Sequence, residues 1–162
     1  MKEFKEVIQQ FKNWGKRWLK GEKVEFFQVN QKGEAKLLKL TPSQQKFVNA
    51  KAQIVLGVGG MGSGKTTALN IKTFLLGMFF PENFILVVKR FFTDALRSFL
   101  PEFFSLFPQE FFEIRRGGEE IIFPNGTRML LMGLDALQSP SRAERERGIQ
   151  RVKNLPSLGA VV

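Results

Sequence analysis

The sequence predicts an α/β fold built on a parallel sheet, and three observations carry that prediction. Residues 53–58 (QIVLGV) and 84–89 (FILVVK) are short unbroken apolar runs, as strands buried on both faces require. A stretch of helical character follows each of them, the alternation from which βαβ units are made. Turn chemistry at Gly117-Gly118 and at Pro124-Asn125-Gly126 divides residues 112–134 into antiparallel strands, so the sheet is expected to carry an inserted antiparallel pair.

The elements follow in chain order. In residues 1–20, Phe4, Val7, Ile8, Phe11, Trp14, Trp18 and Leu19 recur at helical spacing with Lys and Arg between them. This predicts an amphipathic helix whose aromatic stripe packs on its own domain; docking to a partner or a membrane surface is the alternative. Residues 23–30 and 35–40 read as two short strands around Gln31-Lys32-Gly33-Glu34, a hairpin. Residues 1–40 thus form a helix-and-hairpin appendage, and residues 41–162 the main domain. Residues 42–51 read as a helix, with Thr41 as N-cap and Pro42 in its first turn. The run 53–58 leads into a glycine-rich loop and then a helix from about Lys65 to Phe79, which Pro81 stops. Residues 92–106 read as helical with a break at Pro101. Residues 136–154 are charged and read as loop or helix, and the terminal LGAVV reads as the start of another buried strand.

Composition narrows the function. A length of 162 residues suits one compact domain with an appendage, and 43% hydrophobic with 25% charged residues is ordinary globular usage. That excludes wholesale disorder, collagen and coiled coil. Lys and Arg number 25 against 15 Asp and Glu, a net charge of +10 that favours an anionic partner such as nucleic acid or nucleotide. Cysteine and histidine are both absent. A disulfide scaffold, a thiol nucleophile, an imidazole base and a Cys/His zinc site are therefore excluded. Charges interrupt every apolar run before it reaches bilayer-spanning length, and the N-terminus lacks a signal-type apolar stretch, so neither membrane insertion nor secretion is expected.

The strongest signal is Gly59-Gly60-Met61-Gly62-Ser63-Gly64-Lys65-Thr66, which fits the phosphate-loop pattern G-x-x-x-x-G-K-[ST]. Glycines let the backbone curl so that its N–H groups face phosphate oxygens. The following helix turns its positive end on the same anion. Lys65 supplies a mobile charge for the β- and γ-phosphates, the Thr66 hydroxyl suits Mg²⁺, and Thr67 continues the binding segment. Upstream, Gln44 is placed to meet an adenine edge, since a side-chain amide donates and accepts at once; Gln45 is the alternative. Arg90 ends the second apolar run, on the side where open α/β sheets bind ligands. Arg142, Arg145 and Arg147 lie in SRAERERG. They read as a solvated helix paired with Glu144 and Glu146, or as donors to a developing phosphate charge, with Arg142 and Arg147 the candidates.

In order, Gln44, GGMGSGKT, Val87-Val88-Lys89-Arg90, Leu96-Arg97-Ser98, Ile121 to Thr127 (IIFPNGT) and Met132-Gly133-Leu134-Asp135 resemble the ATPase domain of the large subunit of tailed-phage terminase. The resemblance covers about residues 40–162, and FPNGT…MGLD is its most distinctive part. It implies a P-loop NTPase of the RecA-like, additional-strand type, with ATP and Mg²⁺ as cofactors. It also implies double-stranded DNA as substrate, a ring of identical subunits, portal and small-subunit partners, and the host-cell cytoplasm. Many family members carry an arginine where this chain has Met61, so that cis-acting charge is absent. In the family, the strand matching LGAVV leads directly into the Walker B Asp-Glu pair, which holds Mg²⁺ and polarises water. The expectation for this chain by itself is nucleotide binding with little hydrolysis. Other P-loop ATPases of the PhoH-like or helicase-like kind, and a non-catalytic nucleotide- or DNA-binding fragment, are the competing readings.

Overall fold

The computed structural model of the chain describes residues 17, 20, 26–29, 35–52, 54–135, 141–153 and 160–161. These form a mixed α/β structure with a five-stranded mixed sheet and a separate two-stranded hairpin. In the hairpin, β1 (Phe26–Val29) pairs antiparallel with β2 (Ala35–Leu38), Phe26 opposite Leu38. That is the expected pairing. The expected turn at 31–34 and all but two residues of the expected 1–20 helix lie outside the described residues.

Helix α1 (Pro42–Asn49) begins as its residues dictate. Thr41 is extended, and its hydroxyl accepts the Gln44 N–H at 3.3 Å while the Gln44 side-chain oxygen accepts the Thr41 N–H at 2.8 Å. This reciprocal box satisfies two helix-end donors at once. Pro42 costs no hydrogen bond in the first turn, where its missing N–H has no intrahelical partner.

Residues 54–58 overturn one expectation. They form no strand, and Ile54, Leu56 and Val58 are 88%, 84% and 87% exposed. The physical reason lies in the sheet. Strand β3 (Phe84–Lys89) has both edges taken, by β6 (Arg128–Gly133) on one side and by β7 (Ala160–Val161) on the other. Both neighbours run parallel to it. A further apolar run could join only at the outer edge of β4 or of the two-residue β7, and residues 54–58 pair with neither; hydrophobicity alone does not make a strand without backbone partners.

Helix α2 (Lys65–Phe79) runs 15 residues from the glycine loop and stops before Pro81, as expected. Past β3 the chain turns through α3 (Phe92–Asp94), a wide π turn over Ala95–Phe99, and α4 (Leu100–Leu106). The expected irregularity is present but sits one turn before Pro101. Proline at 101 has no N–H for the residue-97 carbonyl and its ring crowds that carbonyl. The wide turn, in which the Leu100 N–H reaches back to the Ala95 carbonyl, accommodates this. Strands β4 (Glu113–Arg115), β5 (Glu120–Ile122) and β6 then run antiparallel, giving the order β4-β5-β6-β3-β7. Helix α5 (Arg142–Lys153) resolves the loop-or-helix alternative at that segment, and β7 is the expected terminal strand.

Phenylalanine builds the core between α2, α4 and the sheet. Phe74 stacks on Phe107 with ring centroids 3.9 Å apart and planes 6° from parallel. Phe103 sits 5.1 Å from Phe107 and 5.4 Å from Phe112, and Phe112 meets Phe123 edge-on at 5.1 Å. Fully burying each such ring contributes roughly 1.5–3 kcal/mol. Asn125, read from sequence as a turn residue, also caps α2. Its side-chain N–H donates to the Gly77 and Met78 carbonyls at 2.8 and 3.1 Å, and the Thr127 hydroxyl donates to the Phe80 carbonyl at 2.7 Å. The β5–β6 turn therefore fixes one end of α2, while the glycine loop forms the other.

Candidate phosphate-binding site

The site forms where residues 59–64 turn into α2. Gly62 and Gly64 have φ of 74° and 73°, a left-handed backbone that glycine adopts without a Cβ clash. Gly64 is the N-cap of α2 and supplies no side-chain acceptor to the first-turn amides. Those N–H groups and the positive end of the helix are thus directed at whatever the loop holds.

Lys65 folds back over the loop. Its ammonium donates to the Gly59 carbonyl at 2.7 Å, the Gly60 carbonyl at 2.5 Å and the Ser63 hydroxyl at 3.2 Å. A Cβ on Gly59 would lie 2.8 Å from the Ser63 hydroxyl oxygen, so a side chain there would push that hydroxyl out of the ring of oxygens. The chemistry fits a polyphosphate: three loop oxygens around an ammonium are replaced by phosphate oxygens of the same acceptor type. Met61, at the loop crown, is fully exposed.

Thr66 is half-buried one residue into the helix. Among the described residues no group of three acidic side chains gathers as a metal site. The Thr66 hydroxyl is a hard oxygen donor of the kind Mg²⁺ accepts. The Thr67 hydroxyl instead donates to the Glu102 carboxylate on α4 at 2.7 Å, which leaves its backbone N–H as the group available to a phosphate.

Gln44 reaches the loop across space. Its side-chain N–H₂ donates to the Ser63 carbonyl at 3.2 Å and the Gly64 carbonyl at 3.3 Å. Gln45 turns away and donates to the Leu40 carbonyl at 3.1 Å. At the other end of α1, the Lys72 ammonium donates to the Phe47, Val48 and Ala50 carbonyls at 3.2, 3.3 and 2.6 Å and lies 5.7 Å from the Phe47 ring centre. Burial lowers the Lys72 pKa from its ordinary 10.5, because an ammonium removed from water loses hydration.

The contacts of Arg90 and Arg142 are made with other partners. Arg90 stands at the C-terminal end of β3 with its guanidinium 5.0 Å from the Phe91 ring centre, and its carbonyl accepts the Asp135 N–H. Arg142 is exposed and pairs with Glu146 at 2.8 Å, the local pairing that the solvated-helix reading describes. The Arg147 side chain lies outside the described residues. Sequence reasoning missed Lys72, Glu102 and the capping role of Asn125, since all three depend on elements brought together from far along the chain.

Among the described residues no helix is long and apolar enough to cross a membrane. Comparison with protein-family models, with curated proteins and with solved structures finds no match to this chain, so the functional reading rests on the site's own geometry and chemistry.

Proposed function

We propose that this chain binds ATP with Mg²⁺ at residues 59–67, as the nucleotide-binding part of a terminase-type motor that drives double-stranded DNA into a viral prohead inside the host cell. The observation that carries the proposal is the loop itself: two left-handed glycines, the Lys65 ammonium ringed by loop oxygens, and a 15-residue helix starting at that point. In the proposal Lys65 exchanges Gly59 and Gly60 for phosphate oxygens, and the first-turn amides hold the same group. The Thr66 hydroxyl takes one Mg²⁺ position, and the ion neutralises charge on the β- and γ-phosphates. A RecA-like P-loop core of the additional-strand type is part of the proposal, supported by the parallel β6-β3-β7 triplet and the antiparallel β4-β5-β6 segment bearing Pro124-Asn125-Gly126. The net charge of +10 supports the DNA partner.

Titration calorimetry with ATP and Mg²⁺ tests it. The wild-type chain should bind saturably, and Lys65→Ala, with an unchanged circular dichroism spectrum, should not. Equal affinity in the two would overturn the proposal. DNA binding that falls steeply with salt but ignores ATP would favour the non-catalytic DNA-binding reading instead.

A further inference from the structure

Gln44 departs furthest from the role its position suggests. Reading an adenine edge requires an amide whose oxygen and nitrogen are both free. Here both N–H donors are spent, and one lone pair of the oxygen is taken. The oxygen accepts the Thr41 N–H at 2.8 Å, and the nitrogen donates to the Ser63 and Gly64 carbonyls at 3.2 and 3.3 Å. The partners fix the amide's orientation, because only its oxygen can accept from an N–H and only its nitrogen can donate to carbonyls. Gly64 is matched to this contact: a Cβ at that position would run into the Gln44 nitrogen.

The consequence for the loop follows from peptide geometry. In a planar trans peptide the C=O and the next residue's N–H point in opposite directions. Holding the Ser63 carbonyl toward α1 therefore aims the Gly64 N–H the other way, and the Gly64 carbonyl, shared between Gln44 and the Ala68 N–H at 3.1 Å, does the same for the Lys65 N–H. Those are amides a phosphate-holding loop presents to its anion. Lys72 fastens the far end of α1 through three carbonyls, so α1 has no freedom to carry Gln44 off the loop.

We infer that Gln44 is a positioning residue that sets the phosphate loop's backbone, and that the site binds the triphosphate with little discrimination among bases. The inference rests on the reading of the loop as a phosphate site. The test measures binding of ATP, GTP and inorganic tripolyphosphate, each with Mg²⁺, to the full chain and to Gln44→Ala, Gln44→Met and Lys65→Ala. Wild-type affinities for ATP and GTP should agree within about threefold, a comparison that needs no variant to fold. Gln44→Ala and Gln44→Met should weaken all three probes by the same factor, about tenfold for the loss of one or two hydrogen bonds at a partly buried site. A loss confined to ATP, with tripolyphosphate binding unchanged, would make Gln44 an adenine reader and overturn the inference. Unchanged binding of all three by the Gln44 variants, with Lys65→Ala abolishing it, would overturn the inference while the phosphate site stands. Failure of wild type to bind any probe would remove the phosphate site itself.

Discussion

Lys72→Met removes an ammonium and keeps most of its stem, so it isolates what the charge does at the end of α1. Of the three carbonyl contacts, one is short at 2.6 Å and two are long at 3.2 and 3.3 Å. Because the Lys72 pKa is lowered, the charge itself gains nothing on folding, so a contact is counted as an ordinary hydrogen bond netting about 0.5–1.5 kcal/mol. Counting the short contact fully and letting the long ones offset desolvation, the variant should lose about 0.5–1.5 kcal/mol. For a chain of this size that is a fall in Tm of about 1–6 °C. Thermal unfolding followed by circular dichroism reads it directly. The pH dependence carries a sign. Because the folded-state pKa of Lys72 is lowered, the unfolded chain holds the extra proton between that value and 10.5, and stability rises with pH across this window. The Tm of wild type relative to Lys72→Met should therefore increase from pH 8 to pH 10. A Tm equal to or above that of wild type at pH 7, or a difference that shrinks with pH, would refute the reasoning.

Other perturbations probe other parts of the account. Leu56→Asp should change stability by less than about 0.5 kcal/mol, because this side chain is 84% exposed; unfolding would restore the buried-strand reading of residues 53–58. Gly77→Ala places a methyl 2.5 Å from the enclosed Phe123 ring. Overpacking of about 1–3 kcal/mol outweighs the roughly 1 kcal/mol of helix propensity gained, so Tm should fall, and a higher Tm would contradict the packing described. The buried Thr73 hydroxyl has no hydrogen-bond partner among the described residues, so the isosteric Thr73→Val should raise stability by about 1 kcal/mol; a loss in calorimetric unfolding would show that the hydroxyl is served.

What the sequence made legible was local chemistry. Thr41, Pro42 and Gln44 announce a helix start because capping is decided within four residues, and the Pro124-Asn125-Gly126 turn and the glycine loop are equally short-range. Residues 53–58 were misread because an apolar run carries no information on whether backbone partners lie beside it, and residues 54–58 pair with no strand of the sheet. The position of Gln44, one helix before the loop, was legible; that its amide faces carbonyls was not, since that depends on the packing of α1 against α2. Lys72 and Glu102 gave no signal for the same reason. Each meets partners 22 or more residues away in the chain.

The central claim is that the Lys65 loop holds the phosphates of a nucleotide. Titrating the chain with ATP and Mg²⁺ in a calorimeter, beside Lys65→Ala of matched melting temperature, tests that claim most directly. Saturable binding at one site is expected in the wild type and none in the variant. Absence of binding in the wild type, or the same affinity in both, would contradict it.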